Sequence, residues 1–225
     1  MSEQKKSYYR QVRDHLPAIP TRTEQGRTVL AVAKSIGKIS NYMEIPQLYA
    51  VFPFGRYGLG LPGLELARDT WRHTPFNKDQ KDYICWHQGG IFTARLGLTE
   101  EAKTYALKKF LHSGEPPRLL YPQWPLPCFP MRFPAFWNCF TFDHPPDMDH
   151  GGCAMVGLQE MLIQTPGRKI LLLSAWPRDW DVDFKLHAPY QTTVEGTYRA
   201  GKLENLKITP ASRAADAIDM SRSGG

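Results

Sequence analysis

The sequence predicts a mainly α chain, built of helical hairpins and closed by a small C-terminal β-domain. Three observations carry this. Apolar residues recur at helical spacing from Leu64 into the stretch ending at Phe110, and again from Gly152 to Gln164. Gly97 ends one helix, and Thr99 with Glu100 and Glu101 starts the next as a cap followed by acids, which makes an αα-hairpin. Thr192–Tyr198 and Leu203–Thr209, with Ala200-Gly201 between them, read as a β-hairpin.

In chain order, a short helix at about Ser7–Leu16 comes first, then a loop marked by Pro17, Pro20 and Gly26. Gly55, Gly58, Gly60, Pro62 and Gly63 break the next stretch into a shaped loop. The helix over Asp82–Leu96 places Ile84, Ile91 and Ala94 near one face, although Gly89-Gly90 weakens it. In the helix after it, Ala102, Tyr105, Ala106 and Phe110 face a core. Pro116–Pro146 holds nine of the 19 prolines, so it is not helical, and Trp124, Phe129, Phe133, Phe136, Trp137, Phe140 and Phe142 make it too aromatic for a disordered linker. It reads as an ordered loop packed over something. The helix over Gly152–Gln164 turns Val156, Met161 and Leu162 inward, Ile170–Leu173 suits a buried strand, and the tail from Ala211 frays. The division expected is a helical domain over 1–167, a β-domain over 168–212 and a flexible tail over 213–225.

Composition narrows the function classes. With 225 residues, 42% hydrophobic and 12% aromatic, the chain has enough apolar surface to bury a core. The net charge of +6 is spread along the chain without a run of five basic residues, which reads as a solvated surface and not as a nucleic-acid interface. Cys85, Cys128, Cys139 and Cys153 show no CxxC spacing and no paired Cys/His pattern, so neither a structural metal nor a cofactor is expected. No apolar run approaches the roughly 18–20 residues of a membrane span, and no membrane partner is expected. The polar start, Met1 to Arg10, is not a signal peptide, which leaves the compartment open. The oligomeric state is not legible.

The densest polar cluster is Asp143-His144-Pro145-Pro146-Asp147-Met148-Asp149-His150-Gly151-Gly152. The prolines stiffen the approach, the glycines let a ligand come close to the backbone, and a carboxylate here can orient or deprotonate a water. The plainer alternative is that Asp147 or Asp149 caps the helix beginning near Gly152. A metal site of Asp147, Asp149 and His150 is the weakest alternative, since nothing fixes the remaining ligands. Glu44, in Asn41-Tyr42-Met43-Glu44-Ile45, lies just ahead of the glycine-rich loop where cleft residues often sit, against the alternative of a surface acid. Trp86 and His87 near a helix start are candidates to contact substrate, against the alternative of a structural histidine. Trp124 and Trp137 are candidate stacking platforms for a sugar, whose C–H faces are apolar.

Three stretches in register resemble the C-terminal half of the family-95-like glycoside hydrolases, the α-L-fucosidase group built on a six-hairpin (α/α) barrel. Leu48-Tyr49-Ala50-Val51-Phe52-Pro53 resembles the family's Leu-Tyr-x-x-Phe-Pro run. His144-Pro145-Pro146-Asp147-Met148-Asp149-His150-Gly151-Gly152, followed by Gly157-Leu158-Gln159-Glu160-Met161-Leu162-Ile163-Gln164, resembles its Pro-Pro-(x)-Asp-Gly-Asn-Phe-Gly-Gly loop and the Glu-Met-Leu-Leu-Gln helix after it. Ile170 to Trp180 resembles the Leu-Leu-Pro-Ala-Leu-Pro-x-x-Trp entry to the C-terminal β-domain. The likeness reaches from about Leu16 to Pro210.

The resemblance implies a partial (α/α)6 toroid and a substrate that is an oligosaccharide or glycoside. It implies Asp149, or Asp147 if the two Gly-Gly pairs are aligned without a gap, as the acid working on the water. Asn41, His150, Trp86, His87, Trp124 and Trp137 are the candidate sugar contacts, and Glu44 is a further candidate acid. The departures are specific. The family's His-Arg-His-x-Ser-His stands here as Tyr42-Met43-Glu44-Ile45-Pro46-Gln47, and the Asp-Gly-Asn-Phe-Gly-Gly loop is two residues shorter. Fucose specificity is therefore not carried over. The family's general acid lies upstream of everything matched, so the expectation is a fragment of an inverting enzyme, secreted or periplasmic in the parent and inactive alone. The alternative is a non-catalytic carbohydrate-binding protein with an aromatic-lined cleft. A lyase or phosphorylase is less favoured, since Arg118 and Arg132 are the only basic residues of Pro116–Pro146.

Overall fold

The computed structural model describes residues 1–35, 44–74, 86–110 and 148–222. Their order is helix α1 (Glu3–Asp14), strands β1 (Thr21–Glu24) and β2 (Arg27–Leu30), a short 3-10 turn (Pro46–Leu48), α2 (Leu64–His73), α3 (Gly89–Arg95), α4 (Thr99–Phe110) and α5 (Met148–Leu162). Then come β3 (Ile163–Gln164), β4 (Ile170–Leu172), β5 (Val182–Ala188), β6 (Thr192–Arg199), β7 (Lys202–Thr209) and β8 (Ala217–Asp219).

The expected mainly α architecture with a partial toroid does not hold. About 41% of the described residues are helical and 24% lie in strands, which form three small sheets. The excess over the expectation comes from segments whose strand signal is short. Arg22-Thr23 and Thr28-Val29 flank a tight turn at Gln25-Gly26, where both residues have positive φ, so β1 and β2 pair in a region read as loop. Val182-Asp-Phe-Lys-Leu-His-Ala188 alternates with period two and adds β5 to the hairpin, giving the antiparallel order β5-β6-β7. Within the described part of the tail, 211–222, β8 pairs in parallel with β4 and Arg213 is buried, where fraying was expected.

The helices that position the site are α3, α4 and α5. Gly97, at φ 67°, turns the chain between α3 and α4, and Leu98 N closes that turn on Thr93 O at 2.9 Å. Contacts between α3 and α5 advance together along both helices. Cys153 Sγ lies 3.4 Å from Trp86 O, a Cβ at Gly157 would lie 3.6 Å from the carbonyl carbon of Gly90, and Arg95 reaches Glu160 at 2.7 Å. The two helices are therefore parallel, with α4 running back against them. Ala102, Tyr105 and Ala106 are buried as their spacing predicts.

One apolar cluster runs from Ala94, Ala102 and Met161 through Leu172 and Trp176 to Phe184, Val194 and Tyr198, so strands pack directly on the helices. A second gathers Leu30, Leu48, Val51, Trp71, Phe92, Leu96 and Tyr105 around α2. Among the described residues no helix is long and apolar enough to cross a membrane.

Candidate functional site

Two segments far apart in sequence meet at one end of the α3–α5 pair. Trp86, His87 and Gln88 lead into α3, and Met148, Asp149 and His150 form the first turn of α5. The parallel packing places these ends side by side, and Cys153 Sγ donates to Trp86 O across them. α5 begins at Met148, four residues ahead of the expected start near Gly152. Asp149 therefore sits inside the first turn, where its negative charge suits the positive end of the helix dipole.

The side chains divide by exposure. Asp149 and Met148 face solvent, Trp86 is half-buried, and His87 and His150 are only 2% and 4% exposed. His150 Nε2 donates to the carbonyl of Lys109 at 3.1 Å, which ties the start of α5 to the last turn of α4 and fixes the proton on Nε2. Lys109 itself is buried. His150 is therefore a positioning side chain in this arrangement, while Asp149 is the group on offer to a ligand.

Glu44 belongs to the segment ahead of the 3-10 turn. Tyr49 Oη donates to its Oε2 at 2.6 Å, and burial together with the Glu44 carboxylate holds the Tyr49 hydroxyl far above its ordinary range. Glu44 thus acts as an accepting carboxylate toward a half-buried phenol. Asn41, Asp147, Trp124 and Trp137 lie outside the described residues.

Three contributions were not singled out from the sequence. Cys153 links the two candidate segments, but its spacing from Trp86 carries no local signal. Arg95 reaches Glu160, donates to Val51 O at 3.0 Å and stacks over the Phe52 ring at 5.0 Å, fastening the Leu48–Pro53 run to α3 and α5. Gln164, the last residue of a stretch quoted above, donates to Ala94 O at 2.7 Å and Glu160 O at 2.9 Å. Among the described residues no group of three His, Cys, Asp or Glu side chains is placed to hold a metal ion.

In comparisons with known proteins, the chain matches no family model and no curated protein.

Proposed function

We propose that this chain carries the water-side half of a glycoside-hydrolase site acting on O-glycosidic bonds, with Asp149 as the carboxylate that activates or orients water. The observation that carries the reading is the contact of Cys153 Sγ with Trp86 O, which sets the approach to α3 against the first two turns of α5, one turn from the exposed Asp149. The resemblance of the Asp149-His150 stretch, of Leu48–Pro53 and of Ile170–Trp180 to one glycosidase family supports it. Trp86 offers an aromatic face to the apolar side of a sugar ring, and the Asp149 carboxylate accepts from a hydroxyl or from water. In an inverting reaction Asp149 takes the proton of the attacking water, while an acid roughly 6.5–9.5 Å away protonates the leaving oxygen. Neither Glu160, bonded to Arg95, nor Glu44, bonded to Tyr49, is given that second role.

A second reading, sugar binding without turnover, is favoured by that same engagement of Glu44 as an acceptor. One assay separates the two. The chain is incubated with a panel of p-nitrophenyl glycosides, whose nitrophenolate departs without a proton from a general acid so that release needs only the water-side carboxylate, with nitrophenol release and saturation-transfer NMR followed together. Release that falls by about 10²-fold or more in Asp149→Asn supports the hydrolase reading. Saturable binding without release supports the binding reading. Neither binding nor release with any member overturns both.

A further inference from the structure

We draw no further inference here: the strongest candidate, the apolar side of α1 carried by the exposed Tyr8, Tyr9 and Val12, is a helix face on which nothing among the described residues shows what covers it.

Discussion

Arg95 Nη2 lies 2.7 Å from Glu160 Oε1, and this pair fastens the end of α3 to the end of α5. Both side chains are mostly buried, at 25% and 15% exposed, so the pair is screened less than a surface bridge. Replacing Arg95 with Ala leaves Glu160 without its partner and also removes the bond to Val51 O. We expect a loss of about 2–3 kcal/mol in urea unfolding for Arg95→Ala. A smaller loss of about 1–2 kcal/mol is expected for Glu160→Gln, which keeps a neutral acceptor. A double-mutant cycle should return a coupling of about 1 kcal/mol or more, and additive effects would show that the pair contributes nothing.

Tyr49 and Glu44 make the second test. The hydroxyl of Tyr49 donates to Glu44 at 2.6 Å, and its pKa in the folded chain is raised well above the ordinary 10.0 by burial and by Glu44. A raised folded pKa stabilises fully below the unfolded value and is lost as pH rises through the folded one. Tyr49→Phe should therefore lower stability by about 1–2 kcal/mol at pH 7. Between pH 10 and 12 its stability should fall less steeply than that of the unsubstituted chain. Parallel pH curves for the two proteins would contradict this.

The acid limb is set in part by Asp179. Lys103 Nζ lies 2.8 Å from Asp179 Oδ2, linking α4 to the turn before β5, and the hydrogen bond from Lys103 holds the carboxyl below its ordinary 3.8. With a depressed folded pKa, the contribution is present above the unfolded value and is lost as pH falls through the folded one. Melting curves of the unsubstituted chain and Asp179→Asn should differ at pH 6 and converge as the pH falls from 3.8 through the depressed folded value, the difference shrinking in high salt. A difference that persists undiminished at pH 2 would rule out the charge as its cause.

Gly196 is fixed by its neighbour. It pairs with Phe184 across β5 and β6 beside an irregularity in the β6–β7 register, and an added Cβ would lie 2.7 Å from Phe184 Cζ. Gly196→Ala should cost about 1–3 kcal/mol, since the ring is packed in the core and has little room to yield. A neutral substitution, read by thermal unfolding, would show that the ring shifts freely.

Where one local signal decided the outcome, the sequence was informative. The β6–β7 hairpin follows from alternation around Ala200-Gly201, whose φ values of 48° and 79° are those of a tight hairpin turn. Helix α4 follows from Thr99 and the spacing of Ala102, Tyr105 and Ala106. Errors arose where the signal was short or lay at an element's edge. β5 alternates over only seven residues, and β8 is three residues long and pairs with β4 across a separation no local pattern records. α5 starts earlier than expected because Gly151-Gly152 looks locally like a helix boundary, although tertiary packing carries the helix through them. Of the candidate site, Trp86, His87, Asp149 and His150 are legible as residue types, but the approach of Trp86 to the start of α5, through Cys153, depends on the parallel packing of α3 and α5. That in turn rests on Arg95, Cys153 and Gln164, which no motif flags.

The central claim is that Trp86 and Asp149 belong to one carbohydrate site. The most direct measurement is an NMR titration of the isotope-labelled chain with the tightest-binding p-nitrophenyl glycoside of the panel. The account predicts that the Trp86 indole and the Asp149 and Gly152 amides shift together with one saturation curve, and that Trp86→Ala weakens all of these shifts. Shifts confined to another surface, or no shift at any of the three, would contradict it.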